Sequence, residues 1–176
     1  MIGLNTYKLT LIAVLAALAV VGRFTFQFLP NVQPVTTLIM ISGFFLGPLS
    51  GILLAVLTTY LSNLFLGMGL WTVWQIVGWA LIGLLSGLLG KYFRSVPLVL
   101  LVLFAVMAGY LYGLVVSLAT YTVAGKFLPY YLLGLPFDTY HAVGNGVFMF
   151  MLFPLFSRIF RRYSEKLMPA KIPTSK

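Results

Sequence analysis

Residues 30–79 read PNVQPVTTLIMISGFFLGPLSGILLAVLTTYLSNLFLGMGLWTVWQIVGW. Two apolar runs meet at the GPLSG turn of residues 47–51 and are flanked by polar and aromatic residues. An amide buried in apolar surroundings without a partner costs roughly 1–3 kcal/mol. Asn31, Gln33, Asn63 and Gln75 must therefore be offset by protein partners or by a ligand. Trp71, Trp74 and Trp79 share the stretch with them, and aromatic walls with a few convergent polar groups are the composition of small-molecule sites. The stretch is expected to form most of a binding site. A belt of aromatic residues at the headgroup level is the competing reading. It accounts for Trp71 better than for Gln75 and Trp79, which lie deeper in their run.

The rest of the chain places this stretch in a membrane. Of 176 residues, 61% are hydrophobic and 7% charged, and the mean hydropathy is +1.07; soluble domains carry about 25% charged residues. Roughly 20 apolar residues cross a hydrocarbon core of about 30 Å, and the runs reach that length. The expected fold is all-α, a single transmembrane domain over residues 1–176 with six spans and both termini cytoplasmic. The spans are expected near Leu9–Phe28, from Val35 to the Gly47-Pro48 break, Gly51–Phe65, Trp71–Leu89, Leu98–Tyr121 and Asp138–Phe160. Pro30-Asn31-Val32-Gln33-Pro34 cannot continue a helix, because proline fixes φ and disfavours helical geometry before it. The two runs that follow are short, and irregular backbone at membrane depth survives only against protein or a wet cavity. The aromatic connection from Ala124 to Phe137 is expected as a cap lying on the membrane. The first run flows into polar sequence without a small-residue cleavage pattern and reads as a retained helix.

The net charge of +9 does not indicate nucleic acid. Lys91 and Arg94 sit in one turn, and Arg158, Arg161, Arg162, Lys166, Lys171 and Lys176 trail the last span. Lys and Arg beside spans mark the cytoplasmic side, and a basic tail from about residue 161 is suited to anionic lipid headgroups. This topology puts Asn31, Gln33, Asn63, Trp71, Trp74, Gln75, Asp138 and His141 toward the outer face. Arg23, near the outer end of the first span, either snorkels to the interface or serves the site. Tyr110, Tyr112 and Tyr121 need partners for their hydroxyls and either reach the cavity or anchor at the interface.

Catalytic and metal chemistry find little support. Asp138, His141 and Asn145 share a helix face, but one His and one carboxylate make no closed ligand set. Asp138 is read first as an N-cap following Pro136, and His141 and Asn145 as ligand contacts. Without cysteine there is no disulfide or thiolate site. Gly87-Leu88-Leu89-Gly90-Lys91 is followed by Tyr92 and is no phosphate loop. No cofactor, metal or catalytic residue is expected.

The alanine-rich first span, PNVQPVTT, GPLSG and LSNLFLGMGLWTVWQ together resemble the substrate-binding S components of energy-coupling factor (ECF) vitamin transporters, from about Leu9 to Arg162. The hydroxymethylpyrimidine (thiamine precursor) group is the most similar, with the cobalamin and riboflavin types as alternatives. The resemblance implies a bacterial plasma-membrane protein that captures a vitamin or precursor outside. It then docks on a transmembrane T component served by two cytoplasmic ATPases. It maps ligand contacts onto Asn31, Gln33, Trp74, Gln75, His141 and Asn145. The partner-docking motif falls on Ala13 and Ala17, one turn apart on a small-residue face that permits close helix approach in lipid; packing inside the chain is the other reading of that face. An intramembrane enzyme using Asp138 and His141 is one rival. A solitary secondary carrier is another, and is disfavoured by the scarcity of intramembrane acids and the lack of an evident internal repeat.

Overall fold

The computed structural model describes residues 6–93 and 95–167, with side chains through Phe160 apart from Ala124. Arg94, Lys171 and Lys176 lie outside the described residues, as do the side chains of Arg161, Arg162 and Lys166. The described chain forms six helices: α1 Thr6–Thr25, α2 Val35–Leu46, α3 Pro48–Leu66, α4 Leu70–Tyr92, α5 Leu98–Ala124 and α6 Phe127–Leu167. Five are long and apolar enough to cross a membrane; α2, expected as one of six spans, is a shorter apolar helix of 12 residues.

Close contacts fix the helix directions. Lys8 donates to the Leu46 carbonyl while Gly22 lies against Pro34, so α1 and α2 run antiparallel. Asn63 meets Thr72 and Gly51 meets Gly83, which makes α3 and α4 antiparallel. Gly109 lies against Ala142 and Gly113 against Asp138, giving the same relation for α5 and α6. Thr36 bonds Trp79 and Ser86 bonds the Met40 carbonyl, so α2 and α4 run parallel. The chain therefore alternates in direction. The links after α1, α3 and α5 gather at one end of the bundle.

Helix α2 is the axis of the fold. It packs against each of the other five helices, and every residue from Val35 to Gly43 is buried. A helix apolar all round is a core helix, which explains why this run needs no lipid-spanning length. Its exit is sharp because Gly47 adopts φ +101°, a region glycine enters freely, and its N–H caps the Gly43 carbonyl at 2.9 Å. Pro48 then opens α3 at the first helical position, where its missing N–H is harmless.

The short axis also creates space. Thr36, near the start of α2, is level with Trp79, nine residues into α4. The axis thus begins roughly 12 Å below the end of its neighbour, at 1.5 Å per residue. The link of residues 26–34 dips into that gap, and Gln33 and Pro34 are buried there.

Helix α6 departs from expectation. It starts at Phe127 and not near Asp138, so the segment expected as a membrane-lying cap is mostly its first turns, and the link from α5 is residues 125–126. Asp138 is consequently an interior residue of the helix and no N-cap. Pro136 sits inside α6; in a membrane bundle neighbouring groups satisfy the carbonyl that a proline frees, so the helix continues through it.

Candidate functional site

The polar residues of the sequence converge where the link of residues 26–34 enters the bundle. Arg23 turns inward from the last turn of α1. Its Nη1 donates to Ser62 Oγ at 2.6 Å and to Asn63 Oδ1 at 2.9 Å, while its guanidinium lies over the Trp79 ring, 5.3 Å from the centroid. Asn63 in turn donates from Nδ2 to Thr72 Oγ1 at 2.9 Å and to Gln75 Oε1 at 2.8 Å. Its amide is thereby fully used, which offsets the cost of its burial. Arg23 does not snorkel outward; it ties α1 to α3 and α4.

A stack of rings continues inward. Trp79 lies on Tyr112 with centroids 4.5 Å apart, and Tyr112 meets His141 at 5.0 Å. All three are buried. The hydrogen bonds around them assign the histidine tautomer. Trp79 Nε1 can only donate, so Thr36 Oγ1 accepts from it at 2.9 Å and directs its own proton to His141 Nε2, also at 2.9 Å. His141 Nδ1 faces the Asn31 carbonyl oxygen at 2.9 Å, which can only accept, so Nδ1 carries the proton. Both ring nitrogens are committed within the protein. The Asp138–His141 dyad of the enzyme reading does not form: each nitrogen has another partner, and Asp138 Oδ2 has no hydrogen-bond partner at all.

Asn31 is held in the left-handed region at φ 58°, which asparagine tolerates better than most residues. Its carbonyl receives His141, and its Nδ2 donates to the Phe137 carbonyl at 3.0 Å. Asn145, one turn beyond His141, accepts at its backbone carbonyl from Thr37 Oγ1 at 3.2 Å. Its Nδ2 reaches the Ala105 carbonyl at 3.4 Å, and its Oδ1 is buried without a partner.

Beside this network lies a cavity of about 280 Å³ between the ends of α4, α5 and α6. Asn31, Gln75, Tyr112, Ser117, Thr120, Tyr130, Phe137 and Asp138 are among its walls. Of the residues expected to bind a ligand, Asn31 and Gln75 line the cavity. Asn63, Trp79 and His141 stand in the network behind it, and Asn145 is buried deeper in α6. Gln33 is buried in the link. Trp71 is 48% exposed and folds over Gly69, and Trp74, half-buried, is not among the lining residues.

The α5 wall is the part of the site least legible in the sequence: the need to partner a buried hydroxyl marks Tyr112, but not Ser117 or Thr120. The available signal is that these three polar residues fall within one side of a mostly apolar helix. Among the described residues no three His, Cys, Asp or Glu side chains gather as metal ligands. The family model described as "ECF transporter, substrate-specific component" matches residues 7–158. No curated protein and no solved structure matches the chain.

Proposed function

The chain belongs to the ECF transporter substrate-specific component family, and from that premise we propose that it is the high-affinity capture subunit of an ATP-driven importer for a small vitamin or vitamin precursor. It is a multi-pass membrane protein of a transporter family, not of an enzyme family. The observation that carries the reading is the polar cavity at the end of the bundle where the α1–α2, α3–α4 and α5–α6 links meet. At about 280 Å³ it lies just below the roughly 300–1,000 Å³ usual for ligand pockets. That volume suits a single heterocycle such as hydroxymethylpyrimidine; cobalamin, riboflavin or another micronutrient is the alternative. Six passes with both termini cytoplasmic put this end outside in a bacterial plasma membrane, where the cargo is met.

Asn31, Gln75, Tyr112 and Asp138 are assigned to the ligand, with Asn63, Trp79 and His141 holding them in place. Ala13 and Ala17 are assigned to docking on the T component, which two cytoplasmic ATPases drive. Both alanines face outward with Val14 and Leu18, whereas Ala16 and Ala19 supply the internal packing of α1. Among the described residues the backbone of α1 lies close to α2 and α3 and Arg23 reaches Trp79 of α4, while the Ala13–Ala17 face stays at the edge of the bundle.

The test is uptake of labelled hydroxymethylpyrimidine into vesicles holding this chain with a T component and its ATPases. The expected result is accumulation that needs both ATP and the partners. Accumulation by the chain alone down an ion gradient would make it a solitary carrier and overturn the reading.

A further inference from the structure

Asp138 is 6% exposed, lines the cavity, and leaves Oδ2 without a hydrogen-bond partner. A buried carboxylate oxygen in that state is costly, and the fold makes room for it on purpose. The carboxyl group lies against α5 at Gly113, where the carbon of any side chain would collide with it. The α5 backbone cannot satisfy the oxygen, because the N–H groups in mid-helix are used within the helix. Among the lining residues Asp138 is the sole carboxylate and no basic side chain is present, since the walls otherwise carry amides, hydroxyls, aromatic rings and apolar groups. Arg23 does not neutralise it. Its hydrogen bonds go to Ser62 and Asn63, and it sits on Trp79, itself stacked on Tyr112.

Resting on the reading of this cavity as the capture site, we propose that the ligand is a small heterocycle with an amino group or protonated nitrogen that donates to the Asp138 carboxylate, its ring placed beside Tyr112. The site selects by charge as well as by shape. A ligand N–H gives the carboxylate the donor that the protein withholds, and such a charge-assisted bond is stronger than one between neutral groups. A ligand carboxylate or phosphate would instead bring like charge against Asp138, with no cationic side chain in the walls to compensate. Such ligands are turned away.

The test is isothermal titration of the detergent-purified full chain with defined probes. These are 4-amino-5-hydroxymethyl-2-methylpyrimidine, its 4-oxo counterpart, thiamine, and the carboxylates pantothenate and biotin. The amino pyrimidine or thiamine should bind, and the carboxylates should not. Exchanging the amino donor for a carbonyl acceptor should weaken pyrimidine binding by about tenfold or more. Asp138→Asn, of nearly the same shape, should weaken the amino-bearing probe by a similar factor while its thermal unfolding stays that of the wild type. If that variant does not fold, the amino and oxo pair on the unaltered chain decides the matter alone.

Equal affinity for the amino and oxo pyrimidines overturns the proposal. So does binding of either carboxylate, failure of every amino-bearing probe to bind, or a folded Asp138→Asn chain of unchanged affinity. Thiamine binding without pyrimidine binding would remove the favoured cargo yet support the Asp138 contact. An Asp138→Asn chain that still takes up hydroxymethylpyrimidine as the wild type does would sink the contact and leave the transport reading standing.

Discussion

Thr36 shows how much depends on one hydroxyl in a dry interior. It accepts from Trp79 and donates to His141, and through His141 it is linked to the Asn31 carbonyl in the link above. Thr36→Val keeps the shape and removes both bonds, stranding an indole N–H and an imidazole nitrogen. Each stranded buried group costs about 1–3 kcal/mol, so the variant should lose about 2 kcal/mol or more of stability. Thr36→Ser, which keeps the hydroxyl, should lose much less. Thermal unfolding of the two purified variants measures the difference. If valine and serine behave alike, the network does not hold the link in place. Tyr112 makes a related point: its ring, not that of Trp71 or Trp74, faces the cavity, because Trp79 beneath it is anchored by its own N–H.

Among the elements, α2 determines most. A central helix surrounded on all sides can be short, and its shortness opens the gap that the polar link and the cavity occupy. This demands close approach of α3 and α4 around it, which Gly51 and Gly83 permit by meeting backbone to backbone. Lipid offers helices no hydrophobic drive to associate, so such small-residue contacts carry much of the packing. Gly83→Leu should force α3 and α4 apart at a cost of about 1–3 kcal/mol, seen as a lowered unfolding temperature of the purified chain. Unchanged unfolding would mean that the helices shift apart without penalty and that the contact is not limiting.

For the whole molecule, the proposed binding and docking sites lie on different surfaces. The cavity lies between α4, α5 and α6, while Ala13 and Ala17 lie on the outward face of α1, away from the cavity walls. Ala13→Trp combined with Ala17→Trp should therefore preserve ligand affinity in titration and abolish both co-purification with the T component and ATP-dependent uptake. Transport at the wild-type rate would place the docking face elsewhere. Loss of ligand binding would mean that α1 is coupled to the site through Arg23, whose bonds reach Ser62 and Asn63.

Composition and hydropathy alone determined the class of this protein, because a chain with so few charges and such long apolar runs has one stable solvent. Pro30, Pro34, Gly47 and Pro48 likewise marked the breaks around α2, since their backbone limits are local. The uncommon amides were legible as residues needing partners, but not which partners they have. Asn63 proved to be saturated by Arg23, Thr72 and Gln75, and His141 by Thr36 and Asn31, all pairings made between helices. Asp138 looked like a cap because Pro136 precedes it; the bundle instead carries α6 through that proline and sets the carboxylate against Gly113 of α5, in the cavity wall. Which polar group is spent within the protein and which is left for a ligand depends on helix register, and only the packed tertiary structure sets that register.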